Sequence, residues 1–161
     1  MSVTSVDKDV DNLTLTLIAD FTAPVERVWR LWADPRQLER WWGPPTYPAT
    51  VEEHDLTPGG EVTYFMTGPE GDKYHGWWRI SSVAPPTSLE FTDGFADEDG
   101  KPKADMPTTS VRVRLTEHDG GTRMEMRSLF DSREQMEQLV SMGMEEGLQQ
   151  AVGQIDALLA A

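Results

Sequence analysis

From Ala49 to Met126 the chain repeats one pattern: apolar and polar residues alternate over short runs, and glycine, proline or aspartate closes most of them. A period of two sends every second side chain to the same face, so these runs read as strands with one apolar face. Short turns join them, which makes the sheet antiparallel. After Asp131 the apolar residues recur at helical spacing almost to the end of the chain. The apolar face of the sheet must be covered, and only this last helix is long enough to cover it. The expected fold is α+β, with a curved antiparallel sheet of about seven strands wrapped around a long C-terminal helix.

The first strand carries Leu13, Leu15 and Leu17 on its core face. Thr50 to Leu56 form the second. Val62, Tyr64 and Met66 alternate in the third, and Tyr74, Gly76, Trp78 and Ile80 in the fourth, with His75, Trp77 and Arg79 facing the other way. Leu89 and Phe91, then Val111, Val113 and Leu115, then Met124 and Met126 mark the rest. Asp119-Gly120 between the last two runs is a strong hairpin signal. Residues 93–107 are rich in glycine, proline and charge and read as a long loop. Residues 1–11 are polar and read as a flexible segment, which leaves 12–161 as one domain of ordinary size.

Two short helices are expected before Ala49. Thr22 and Asp34 can cap them, Pro24 and Pro35 suit their first turns, and Trp29, Trp32, Trp41 and Trp42 cluster on them. In the last helix, capped by Asp131 or Ser132, the residues Met136, Val140, Gly143, Gly147, Ala151, Ile155 and Leu158 form one stripe. Each glycine there costs up to about 1 kcal/mol relative to alanine. Close approach of the sheet or of a ligand would offset that loss.

Acidic residues number 28 against 14 basic ones, for a net charge of -14. Such a surface repels phosphate backbones and anionic lipid heads, so nucleic acid and membranes are not expected partners. The chain has no cysteine for disulfide or thiolate chemistry. The N-terminus lacks a signal-peptide pattern, and no apolar run reaches membrane-spanning length, so a cytoplasmic location is the default expectation. There is no nucleophile elbow, phosphate loop or HExxH motif. His54, His75 and His118 lie far apart in sequence. No metal or organic cofactor is expected. Glu52, Glu53 and Asp55 form an acidic strand, from which a carboxylate turned into an apolar cavity could act as acid or base. A solvated edge is the plainer reading of that strand.

The aromatic and methionine set carries the stronger signal. Tyr64, Met66, Trp78, Phe91 and Met126 from the sheet should converge with Met144, Gly147 and Ala151 from the helix, below Trp32 and Trp41. Small helix residues make room and aromatic sheet residues offer flat surface for a ligand. Tyr64 and Tyr74 are the candidates for a hydroxyl inside. The same side chains can also simply fill a core. A ligand pocket would measure about 300 Å³ or more, whereas a packed core leaves only water-sized gaps.

Asp34-Pro35, Leu38, Trp41-Trp42-Gly43-Pro44 and Asp55-Leu-Thr-Pro-Gly-Gly60 form a combined pattern with Gly76-Trp-Trp-Arg-Ile80, Pro85-Pro86, Leu89-Glu-Phe91, Gly143-Met144 and Gly147. It resembles the activator of heat-shock-protein-90 ATPase homologue-like branch of the START-like (SRPBCC) superfamily, from about Leu13 to Leu159. The resemblance implies the helix-grip fold with a cavity between sheet and helix, and no shared reaction. Three functional readings follow. The first is a binding protein for a small apolar or aromatic molecule. The second is a cyclase- or hydrolase-type enzyme, marked by a titratable group with a perturbed pKa in the cavity. The third is an interaction module, co-chaperone-like or homodimeric, marked by an exposed apolar patch.

Overall fold

The computed structural model describes residues 3–160. Strands β1 (Val3–Asp9) and β2 (Thr14–Phe21) lead into helices α1 (Val25–Ala33) and α2 (Pro35–Leu38). Strands β3 (Ala49–His54), β4 (Glu61–Thr67), β5 (Lys73–Ala84), β6 (Ser88–Phe95), β7 (Thr109–His118) and β8 (Gly121–Phe130) follow. Helices α3 (Arg133–Ser141), α4 (Met144–Val152) and α5 (Ile155–Ala160) complete the chain. The strands form one curved, open, antiparallel sheet in the order β1-β2-β8-β7-β6-β5-β4-β3. The segment holding α1 and α2 carries the chain from the β2 side of the sheet to its far edge.

The sheet has eight strands rather than about seven, because residues 3–9 of the segment expected to be flexible pair with β2 as an edge strand. Val3 and Val6 pack against the core, enough apolar contact to hold an otherwise polar strand. Met1 and Ser2 lie outside the described residues. Leu13 sits in the turn before β2 at φ +57°, while Leu15, Leu17 and Ala19 fill the core face. The Asp119-Gly120 hairpin forms with positive φ at both residues, as a tight two-residue turn demands.

Capping follows the side-chain chemistry in two of three places. Asp34 Oδ1 accepts from the Arg36 N–H at 2.9 Å, and Ser132 Oγ accepts from the Gln135 N–H at 3.1 Å. Helix α1 begins at Pro24 with no side-chain cap, so Thr22 does not serve. The C-terminal helix is broken into three rather than continuous. Gly143 adopts φ +89° between α3 and α4, a left-handed conformation that ends a helix at little cost only for glycine. A second break follows Gly153.

Trp32, Trp41, Trp78 and Phe91 are fully or almost fully buried and form an aromatic block between the short helices and the sheet. Trp32 meets Trp41 edge-on at 4.8 Å, and Trp78 stacks on Phe91 at 4.1 Å. The Trp41 indole N–H donates to Leu31 O at 3.0 Å. The Gln154 amide donates to Gly43 O at 2.7 Å and so ties the end of the C-terminal helices to the Trp-Trp-Gly turn. Helix α3 packs in a separate small cluster through Met136 and Leu139, against Leu15 and Phe130. Between the two anchorages lies the middle of the helical layer, around Gly147, where an added Cβ would meet nothing within 4 Å.

Candidate functional site

A cavity of about 320 Å³ lies beneath that middle section. Its floor comes from the inner faces of β4 to β8, and the strand register says which side chains reach it. Tyr64 lies opposite Gly76, Met66 opposite Tyr74, Trp78 opposite Asp93, and Val111 opposite Ser128. The inward series of β6 is Leu89, Phe91, Asp93, so a carboxylate takes the place where alternation calls for an apolar group. Tyr64, Asp93, Thr109 and Ser128 thus form a polar band across one end of an otherwise apolar floor.

Two glycines hold the band in place. A Cβ on Gly76 would lie 2.4 Å from the Tyr64 hydroxyl, so only glycine lets that ring lie flat across β5. On the opposite side of the sheet, Gly94 leaves room for the Trp77 indole, whose N–H donates to Phe95 O at 3.0 Å. This contact braces the end of β6 that carries Asp93.

The Tyr64 hydroxyl donates to Asp93 Oδ1 at 3.1 Å. Burial, with no basic side chain to offset it, pushes the Asp93 carboxyl up to about 7, while the Tyr64 hydrogen bond and the Gly94 N–H hold it lower than burial alone would. Asp93 keeps some accessible surface, and it lines the cavity. Burial first, and the Asp93 charge second, raise the Tyr64 phenol well above its ordinary value. The indole N–H groups of Trp42 and Trp78 approach the Tyr64 oxygen and oppose that shift, but neither makes a bond of good geometry.

Five residues expected at the site line the cavity: Tyr64, Met66, Met126, Met144 and Gly147. The other five, Trp32, Trp41, Trp78, Phe91 and Ala151, do not. Trp32, Trp41, Trp78 and Phe91 pack against one another in the buried aromatic block, and Ala151 is buried on α4. Trp42 takes the place foreseen for Trp32 and Trp41, with an indole N–H that has no hydrogen-bond partner. Gly147 stands off the sheet: a Cβ there would meet nothing within 4 Å, so close packing does not explain this glycine. Tyr74 brings no hydroxyl into the interior. It is 55% exposed and stands at the rim, edge-on to Tyr47.

Asp93 was hidden by the loop reading of residues 93–107. The signal that reveals it is the continued alternation Leu89, Phe91, Asp93, Phe95, which β6 follows to its end. Beyond it the chain does turn, with Asp97 accepting from the Asp99 and Lys101 N–H groups. The acidic strand contributes no cavity group. A bulge between Val51 and Glu53 leaves Glu52 and Glu53 both exposed. His54 bonds Trp32 O at 2.9 Å, and Asp55 accepts from the Thr57 hydroxyl in the turn before Gly59.

An open antiparallel sheet closed by C-terminal helices over an internal cavity defines a helix-grip protein. The chain belongs to the Activator of Hsp90 ATPase homolog 1-like protein family, whose pattern matches residues 22–160. Membership makes it a ligand-binding or activator-type module. It is 55% identical to protein Ms6760 from Mycobacterium smegmatis, whose crystal structure superposes with a TM-score of 0.91 over 98% of this chain and 96% of that one. A protein from Arthrobacter aurescens, solved by NMR, is 52% identical, with a TM-score of 0.94 over 99% and 92%. A Staphylococcus epidermidis protein at 24% identity and TM-score 0.84, over 98% and 94%, shares the fold. No curated protein matches significantly.

Proposed function

We propose that this protein binds a small, largely apolar molecule in the cavity between its sheet and helices α3 and α4. One observation carries the reading: the space is about 320 Å³, a small-ligand volume rather than a packing defect. Its walls are mostly apolar, with a few polar groups gathered at one end, an arrangement that orients a ligand. Three of the four large apolar side chains exposed among the described residues, Tyr47, Tyr74 and Met142, stand at this cavity or against its rim, which favours entry here over a separate docking patch.

The test is fluorescence of the neutral apolar probe N-phenyl-1-naphthylamine. Wild-type protein should enhance and blue-shift its emission. Gly147→Leu should abolish the effect while leaving the far-ultraviolet circular dichroism unchanged, because the added side chain enters open cavity. Failure of wild-type protein to bind any of a broad panel of neutral apolar probes overturns the reading.

Asp93 supports a second reading. A carboxyl that titrates near neutrality beside a ligand space can take a proton from a bound molecule and return it. Hydrogen–deuterium exchange at the acidic C–H of apolar ketones in D₂O tests it. Wild-type protein should accelerate exchange and Asp93→Asn should not; equal rates refute it.

A further inference from the structure

The polar end of the cavity is built unequally from acceptors and donors. Tyr64 gives its hydroxyl proton to Asp93, and two indole N–H groups flank the Tyr64 oxygen, so that proton has no better acceptor. Among the described residues Tyr64 makes the only side-chain hydrogen bond to Asp93, and none of the salt bridges includes Asp93. The titratable groups lining the cavity are Tyr64 on β4, Tyr74 and His75 on β5, and Asp93 on β6; β7, β8, α3 and α4 bring none. Among the described residues no lysine or arginine lines it. A carboxylate drawn this far out of water ordinarily has a positive partner, and among the described residues Asp93 forms no ion pair.

Two further features suit a cation. Trp42, Tyr64 and Tyr74 line the same cavity as Asp93, and aromatic rings attract positive charge. The net charge of -14 draws cations toward the surface and repels anions.

We infer that the ligand is a hydrophobic amine, its apolar body in the cavity and its ammonium group paired with Asp93, which Tyr64 holds in position. This rests on the cavity-binding reading and names the ligand class. The ammonium supplies the missing counter-charge and donates to the carboxylate oxygen that Tyr64 leaves free. Binding then requires the ionised carboxylate. As pH falls through the Asp93 titration, the proton competes with the amine and affinity drops.

The experiment is displacement of bound N-phenyl-1-naphthylamine by three molecules with one body: 4-phenylbutylamine, 4-phenylbutanol and 4-phenylbutyrate. At about pH 8.5 the amine should displace the probe at least about tenfold more tightly than the alcohol, with the carboxylate weakest. Lowering the pH to about 5.5 should shrink the amine-to-alcohol ratio, since Asp93 is then protonated while the amine stays charged. In Asp93→Asn, with folding checked by near-ultraviolet circular dichroism, the ratio should fall toward one at both pH values. The wild-type comparison needs no variant, so it stands even if that substitution fails to fold. Alcohol or carboxylate binding as tightly as amine overturns the inference, and so does an amine preference that ignores pH or survives Asp93→Asn. If the three molecules bind equally, cavity binding stands and the amine assignment fails. If neither this probe nor any of the panel of neutral apolar probes binds, both fail.

Discussion

Asp93→Asn should stabilise the protein, and increasingly so as pH rises. Burial raises the carboxyl from 3.8 to about 7, so between those values the folded state holds a proton that the unfolded chain has released. Stability therefore falls as pH rises through this window, the reverse of an aspartate in a salt bridge. At 1.36 kcal/mol per unit, the full shift corresponds to about 4 kcal/mol at alkaline pH. The two-state titration expression puts the cost of the native aspartate at about 2 kcal/mol at pH 5 and about 4 kcal/mol at pH 8. Asparagine keeps the shape and can still accept from Tyr64, but it carries no charge. The advantage of the variant should thus grow by about 2–3 kcal/mol between pH 5 and pH 8. Urea denaturation followed by tryptophan emission measures it, and groups that titrate alike in both proteins, such as Asp20 beside Arg123, cancel in the difference. A stability difference that stays constant with pH within about 0.5 kcal/mol refutes the buried-carboxylate reasoning.

Three other outcomes follow from the packing. Tyr64→Phe removes the hydrogen bond that holds Asp93 down, so the carboxyl should titrate higher than in wild type, as read by carbon NMR of the aspartate carboxyl. Trp41→Ala removes a fully buried indole, its bond to Leu31 O and its edge contacts with Trp32 and Trp42, and should cost about 3–5 kcal/mol in chemical denaturation. A loss below about 1 kcal/mol would show that the Trp-Trp-Gly motif is not structural. Gly147→Ala meets nothing at its Cβ and sits inside α4, so it should stabilise by about 0.5–1 kcal/mol, visible as a raised thermal midpoint.

Much of the architecture was legible because it depends on short-range periodicity. Alternation in Val62-Tyr64-Met66 and Val111-Val113-Leu115 names a face whatever the chain does elsewhere, and the Asp119-Gly120 turn forms from its own backbone preferences. The aspartate and serine caps of α2 and α3 are equally local. The stripe from Met136 to Leu158 likewise marked a helical layer. What local pattern could not separate was a residue that lines space from one that fills it. Trp78 and Tyr64 are neighbours on one face, yet Trp78 stacks on Phe91 behind the wall while Tyr64 reaches the cavity. That distinction depends on where the helical layer lifts from the sheet, which follows from the break at Gly143 and the anchorage of α3 on Leu15 and Phe130. The sheet, its inward face and the helical cover follow from periodicity and turn chemistry, which act between residues close in the chain. That Asp93 lies at the cavity beside Tyr64, largely out of water and, among the described residues, in no ion pair, depends instead on residues distant in the chain, brought together by the register of β4, β5 and β6.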